Sequence, residues 1–166
     1  MGITNAVVID LNDQRLEYVK KLGGVPFNPQ SGDTQEFLKN HFGVGFHHVG
    51  YPVADVDVVI DCAGASNIVT DYLANCKAGS RFSVVAVAKD VAQIPMAMIM
   101  AGEAELKGSC GYEIKDIEEV IDSLNRHSTK IGEIVTHHFK HAQLKEAFEF
   151  ASNPANGSIK VVIDYD

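Results

Sequence analysis

Apolar and polar positions alternate in blocks along this chain, and most apolar blocks are followed by a segment with helical spacing. Val7–Asp10 is apolar up to its final aspartate, which is typical of a buried strand. Asp13–Leu22 then has the spacing of a helix, and Val25–Asn28 is a short strand before the loop Pro29–Asp33. The first thirty residues therefore predict one β-α-β step.

The same order repeats to the end of the chain. Helices are predicted at Thr34–Phe42, Ser66–Cys76, Pro95–Ala101, Glu113–Asn125 and Ala142–Ala151, and strands at 55–64, 81–88, 104–110, Ile134–Phe139 and 159–166. Gly43–Val56 has no clear periodicity and is interpreted as an irregular loop that exposes His47 and His48. This alternation predicts an α/β fold with a parallel sheet and helices on both faces, in one domain over residues 1–166.

Composition narrows the class of partner. The chain has 166 residues with a net charge of -8, which disfavours binding to nucleic acid or to anionic lipid because both need a surplus of basic residues. Three widely spaced cysteines predict neither a disulfide framework nor a metal knuckle and favour a reducing, cytoplasmic setting. No apolar run reaches the length of about 18 residues that a membrane span needs.

Asp10 is the first residue that suggests chemistry. An acid at the carboxyl end of the second strand of a dinucleotide-binding fold accepts hydrogen bonds from a ribose diol and repels a 2'-phosphate, which favours NAD over NADP. The alternative is that Asp10 caps the following helix, a role also open to Asn12 and Asp13. Only nine residues precede Asp10, so the glycine-rich turn expected about 20 residues earlier cannot fit.

The order and spacing of several segments resemble the medium-chain alcohol dehydrogenases, most of which depend on zinc. The resemblance runs through "VVIDLNDQRLEYVKKLGG", "DVVIDCAG", "RFSVVAVA", "LKGSCGY", "IVTHHF" and "NGSIKVVIDYD". It covers only the C-terminal part of such an enzyme. It implies a Rossmann-like domain that lacks the first β-strand and the glycine-rich turn, and a C-terminal segment, about 133–166, that normally joins the catalytic domain.

The resemblance also implies cofactor contacts, all of them with NAD. It places Asp10 on the adenosine ribose and Arg15 beside the same sugar or the adenine, Cys62 and Ala63 against the adenosine half, Val85 and Val87 at the nicotinamide carboxamide, and Lys160 at the pyrophosphate. Core packing is the alternative for the apolar residues of this set. A solvated surface charge is the alternative for Lys160.

The implied reaction is hydride transfer between an alcohol and NAD, with zinc polarising the oxygen. The family's zinc ligands are absent from these residues, and His137, His138 and His141 are not expected to replace them, because neighbouring strand residues point to opposite faces. The chain alone is therefore expected to be inactive. The alternatives are a non-catalytic nucleotide-binding or oligomerisation module and, less favoured, a methyltransferase-like domain.

The absent first strand also predicts partners. It is central in the sheet order 3-2-1-4-5-6, so its neighbours must pair with each other, with the C-terminal "KVVIDY", or with a strand from another chain. A separately encoded N-terminal catalytic half is one such partner. The strand Glu105–Cys110 predicts a homodimer edge, in which Cys110 would be a small buried thiol.

Overall fold

The computed structural model of the chain describes residues 5–88, 90–127 and 130–165. In chain order the strands are β1 (Val7–Ile9), β2 (Val25–Phe27), β3 (Val44–Phe46), β4 (Pro52–Ala54), β5 (Val58–Asp61), β6 (Arg81–Val84), β7 (Glu105–Gly108), β8 (Val135–Lys140) and β9 (Lys160–Asp164). The α-helices are α1 (Asp13–Lys21), α2 (Thr34–Phe42), α3 (Ser66–Asn75), α4 (Met96–Gly102), α5 (Ile114–His127) and α6 (Leu144–Ser152). The chain divides into two compact units, unit 1 with residues 1–32 and 112–166 and unit 2 with residues 33–111.

Unit 1 contains two parallel strand pairs. β1 lies beside β2 with Val7 opposite Val25, and the amide of Asp10 extends this ladder by donating to the carbonyl of Phe27 at 3.2 Å. β8 lies beside β9, and α6 packs against both strands with the ring of Phe150 4.5 Å from that of His137. The C-terminal strand therefore pairs with β8, and the expectation of its pairing with the strand Val7–Ile9 is wrong.

Unit 2 contains the best-defined core. β5, β6 and β7 form a parallel sheet in that order. Its core joins α3 to β6 through a cluster of buried side chains: Val69, Tyr72, Leu73, Cys76 and Phe82. The hydroxyl groups of Tyr72 and Ser80 are 2.8 Å apart, so the polar atom of the buried tyrosine has a partner.

The predicted α/β class is confirmed, and most elements begin and end within a few residues of their predicted bounds. α2 occupies Thr34–Phe42 as predicted, because the side chain of Asp33 accepts from the amide of Glu36 and caps the helix. The interpretation of Gly43–Val56 as an irregular loop is wrong. β3 and β4 form an antiparallel pair there, with Gly45 opposite Val53.

The two histidines of that segment, His47 and His48, differ in solvent exposure. His47 is buried, 6% exposed, rather than exposed as predicted. Its ring stacks on Tyr51 at 4.4 Å, and its Nδ1 accepts from the amide of Val49 at 3.3 Å. His48 is half exposed. The β3–β4 hairpin therefore carries one packed histidine and one at the surface.

Several apolar surfaces are open in the described part of the chain. β1 pairs only with β2, and β5 pairs only with β6, so each has an edge without a described partner strand. The sequence Glu113–Asn125 places apolar residues at helical spacing, and they share one face of α5, but each of them is at least 39% exposed: Ile114, Ile117, Val120, Ile121 and Leu124. Within residues 5–88, 90–127 and 130–165, no helix combines the length and apolar character needed to cross a membrane.

Candidate functional site

Asp10 and Arg15 come together at the carboxyl end of β1. Asn12 caps α1 by accepting from the amides of Gln14 and Arg15, so the capping role left open for Asp10 belongs to Asn12. Asp10 Oδ1 accepts from the amide of Asn12 at 2.8 Å, and Asp10 Oδ2 is 3.8 Å from Arg15 Nη1. The Asp10 side chain is about one-third exposed, so it is partly accessible to a ligand.

The C-terminal segment completes the surroundings of this pair. Asn12 Nδ2 donates to the carbonyl of Pro154 at 3.1 Å, and Arg15 Nε donates to the carbonyl of Ser158 at 3.3 Å. Asp10, Asn12 and Arg15 thereby line a surface pocket of about 430 Å³ together with Leu11, Pro154 and Ala155. The residues of this segment were not predicted from the sequence, because no local sequence pattern links positions so far apart in the chain.

A second pocket adjoins Asp10 and Arg15. Its volume is about 250 Å³, and the rest of its lining is predominantly apolar: Val8, Tyr18, Val19, Leu22, Ile134 and Ile159. The two pockets offer a charged, hydrogen-bonding rim beside an apolar surface. That combination is suited to a ligand with a polar sugar and a flat, apolar base.

The residues of unit 2 that were predicted to contact the cofactor lie on the two segments that follow β5 and β6. Cys62 and Ala63 follow β5 and are exposed, whereas Val85 and Val87 follow β6 and are 50% and 92% exposed. The alternative of plain core packing is therefore wrong for these four residues. Their contacts with a cofactor stay predictions.

Asp61, which the sequence analysis passed over, connects these two segments. Its side chain is buried and its Oδ1 accepts from the amides of Ala63 and Gly64, both at 2.9 Å. Its backbone carbonyl accepts from the amides of Val85 and Ala86. The sequence signal was an acid at the end of an apolar run, the same signal that singled out Asp10.

Two other predicted residues lie elsewhere. Lys160 is exposed at the start of β9 and does not line either pocket beside Asp10, so its pyrophosphate contact stays a prediction. Cys110 lies beyond the end of β7 and is exposed in the single chain, so its burial at a dimer edge stays a prediction.

Shifted pKa values occur away from the predicted site residues. Burial raises the pKa of Tyr72 and the pKa of the Cys76 thiol in the core of unit 2. Hydrogen bonds from Lys77 Nζ to Asp55 and Asp57 raise the pKa of that lysine. These shifts follow from packing and ion pairing, so they identify no separate acid–base centre.

The described residues contain no group of three or more histidine, cysteine, aspartate and glutamate side chains placed to hold a metal ion. Of the three C-terminal histidines, His137 contacts Phe150, His138 is 3.1 Å from Asp164 Oδ2, and His141 stacks on Tyr165. These side chains do not provide a donor set that fits zinc. No step through a metal is derived from them.

A comparison with protein families identifies the lineage. The family model described as zinc-binding dehydrogenase matches residues 1–126, which is most of the chain. The chain belongs to this family. One curated relative of this chain is the L-threonine 3-dehydrogenase of Paraburkholderia xenovorans, 24% identical over 167 residues.

Solved structures give the same fold. An Escherichia coli oxidoreductase/dehydrogenase of unknown specificity, involved in membrane biogenesis, matches 99% of this chain with a TM-score of 0.83 and 22% identity. The match covers 45% of the E. coli chain. Another E. coli protein, described as a short chain alcohol dehydrogenase complexed with the cofactor NADH, matches 96% with a TM-score of 0.76 and 20% identity; 44% of it is covered. The Rossmann-type fold is thus confirmed.

The chain matches only part of the length of its relatives. The alignment covers 99% of this chain but 45% of the L-threonine 3-dehydrogenase. The chain therefore spans less than half the length of that curated relative and corresponds to its C-terminal part.

Proposed function

We propose that this chain is the NAD-binding portion of a zinc-type alcohol or polyol dehydrogenase, which transfers a hydride between an alcohol and NAD. The observation that carries the proposal is the Asp10–Arg15 pair at the carboxyl end of β1, on the rim of two adjoining pockets. In open α/β sheets, ligands bind outside the carboxyl ends of the strands. The solved relative that contains NADH supports the choice of cofactor.

The residues of this chain would bind and orient the cofactor. Asp10 Oδ2 accepts a hydrogen bond from a ribose hydroxyl, while Oδ1 stays bonded to the amide of Asn12, which fixes the carboxylate. A 2'-phosphate would meet the negative charge of Asp10, so NADP is disfavoured. The bound nicotinamide supplies the hydride acceptor or donor. Cys62, Ala63, Val85, Val87 and Lys160 are the further proposed contacts.

The proposal assigns no turnover to the isolated chain. Its described residues hold no cluster of metal ligands, and it corresponds to less than half of its curated relative. A separately produced N-terminal half would have to supply the zinc ligands and a strand for the open edge of β1. The proposed setting is the cytoplasm.

The exposed apolar face of α5 and the open strand edges favour a second candidate, a non-catalytic nucleotide-binding or oligomerisation module. Zinc-dependent turnover on mixing the chain with an N-terminal half would support the dehydrogenase over this module. A methyltransferase-like domain, whose strand-end acid would bind the ribose of S-adenosylmethionine, is the less favoured candidate.

The proposal is tested by calorimetric titration of the purified chain with NADH. We expect micromolar binding, and we expect Asp10→Ala to weaken it at least about tenfold, since one charge-assisted hydrogen bond contributes roughly 1.5–3 kcal/mol. The preference for NADH over NADPH should also fall in this variant, because the repulsion of the 2'-phosphate is removed.

Asp122→Ala is the matched control, since it removes one exposed carboxylate from α5 and should leave binding unchanged. Wild-type binding weaker than millimolar would contradict the proposed cofactor site. Tighter binding of S-adenosylmethionine than of NADH would favour the methyltransferase-like candidate instead.

We also propose that the chain forms a homodimer through β7. This strand pairs with β6 on one side, and the described residues contribute no partner on its other side. An exposed strand edge is a template for pairing with a second copy. Light scattering at micromolar concentration should give twice the monomer mass, and a monomer mass would rule this proposal out.

A further inference from the structure

Asp61 is a buried acid whose side chain accepts hydrogen bonds from loop amides. It ends β5, its exposed fraction is 7%, and Oδ1 accepts from two successive amides, those of Ala63 and Gly64, at 2.9 Å. In the part of the chain that the structure describes, no lysine or arginine forms an ion pair with it. Its charge is therefore compensated by the loop that follows β5.

The backbone of the same residue holds the neighbouring segment. The carbonyl oxygen of Asp61 accepts from the amide of Val85 at 3.1 Å and from the amide of Ala86 at 3.0 Å. Asp61 thus bonds through its side chain to the segment after β5 and through its main chain to the segment after β6. No other residue described above makes hydrogen bonds to both segments.

The two segments also touch each other directly. Gly64 has a φ of +73°, and a Cβ added to it would lie 3.1 Å from the carbonyl oxygen of Val87 and 3.2 Å from Ala86 Cβ. Glycine adopts this left-handed conformation readily, and the amides of Ala63 and Gly64 still need hydrogen-bond partners. The carboxylate of Asp61 accepts from both amides and so restrains the loop.

Burying an acid at this position is unfavourable unless hydrogen bonds to its carboxylate compensate for the lost solvation. Burying a carboxylate costs free energy that an apolar residue would not cost, and the ladder between β5 and β6 needs only the main chain. Hydrogen bonds from amides to a carboxylate are roughly twice as strong as those between neutral groups. The hydrogen bonds from Ala63 and Gly64 to Asp61 therefore offset the cost of burial and hold the loop in one conformation.

We propose that Asp61 is a positioning residue that presents Cys62–Ala63 and Val85–Val87 to the cofactor. This inference rests on the proposed function, because that function assigns those segments to NAD. Asp61 is buried beneath the segments and acts on the cofactor only through them. Its loss should loosen the amides of the first segment and weaken NADH binding together.

The test combines amide hydrogen exchange, measured by NMR without ligand, with calorimetric NADH titration. Asp61→Ala should speed exchange at Ala63 and Gly64 about tenfold and weaken NADH binding about tenfold, as expected for the loss of charge-assisted hydrogen bonds. Asp61→Asn keeps one acceptor oxygen and almost the same size, so its effects should lie between those of wild type and Asp61→Ala. It also provides a folded variant if Asp61→Ala unfolds.

Two controls separate positioning from general loss of stability. Asp71→Asn removes an exposed carboxylate from α3 and should change neither measurement. Gly79→Ala strains a residue with a φ of +73° that has no heavy atom within 4 Å of the added Cβ. It should lower stability without weakening NADH binding.

Unchanged exchange at Ala63 and Gly64 in Asp61→Ala would overturn the inference. Faster exchange with unchanged NADH affinity would also overturn it, since Asp61 would then serve the fold alone. Failure of the proposed function has a different signature, which is a wild-type chain that does not bind NADH at all. Faster exchange in that case would leave Asp61 as a restraint on the loop and overturn its role toward the cofactor.

Discussion

Replacing Gly64 with alanine is expected to lower the free energy of unfolding by about 3 kcal/mol, one of the two largest effects we predict for single substitutions. The φ of +73° disfavours any residue with a Cβ, and the new Cβ would lie 3.1–3.3 Å from Val87 O, Ala86 Cβ and Ala88 Cα. Two of these three atoms belong to backbone, so they cannot move aside as a flexible side chain would. The segment after β6 would have to shift.

Gly79→Ala is the matched control for this prediction. Gly79 has the same φ of +73°, but a Cβ there would meet nothing within 4 Å. Its cost should be the backbone strain alone, about 1–2 kcal/mol. Because the chain has no tryptophan, urea unfolding should be followed by circular dichroism. Equal losses in the two variants would show that the close approach of the two segments does not constrain Gly64.

The other large effect is expected for Phe82→Ala, which should destabilise the chain by about 3–5 kcal/mol. Phe82 is 1% exposed on β6, and its ring centroid is 4.9 Å from that of Tyr72 on α3. Truncation removes apolar contacts and leaves a cavity that the sheet and the helix cannot fully close. Because domains are stable by only about 5–15 kcal/mol, this loss is a large share of the total.

Phe148→Ala is the matched control, because it makes the same substitution at a phenylalanine that is 67% exposed on α6. It should change the free energy of unfolding by less than about 0.5 kcal/mol. The measurement is again urea unfolding, with Phe82→Leu as a milder variant that should retain the fold. Similar losses for Phe82→Ala and Phe148→Ala would mean that the cluster around Leu73 is not the core of unit 2.

The sequence predicted the elements whose signals are local. α1 and α2 begin after Asn12 and Asp33, which cap them, and β1 and β5 are short apolar runs that end in an acid. The pair β3–β4 was missed because Gly45 interrupts β3 and the segment Gly43–Val56 shows no clear periodicity. Such strands are specified by their pairing, which periodicity does not report.

Burial was harder to predict than periodicity. The apolar spacing of α5 was correct, yet the described structure leaves that face exposed. The partner of an amphipathic face is not encoded in the face itself. His47 shows the reverse error, because its burial depends on stacking with Tyr51 across the β3–β4 hairpin, which the sequence analysis did not foresee.

The candidate site was predictable only in part for the same reason. Asp10 and Arg15 are five positions apart across one strand-to-helix turn, so local geometry brings them together. Pro154 and Ser158 reach the same place through tertiary packing, and no local pattern indicates this. Asp61 ends an apolar run as Asp10 does, but its burial and its hydrogen bonds to the amides of Ala63 and Gly64 depend on the loop conformation, which the residue type does not report.

The division into two units has a consequence for the order of folding. Unit 2 is one uninterrupted stretch, residues 33–111, so on a ribosome it can complete its contacts once that stretch has emerged. The sequence of unit 1 is interrupted by unit 2, and the hydrogen bonds of Asn12 and Arg15 to Pro154 and Ser158 cannot form until residues 154–158 have been synthesised. We therefore expect the Asp10 pocket to be among the last features that a newly made chain acquires.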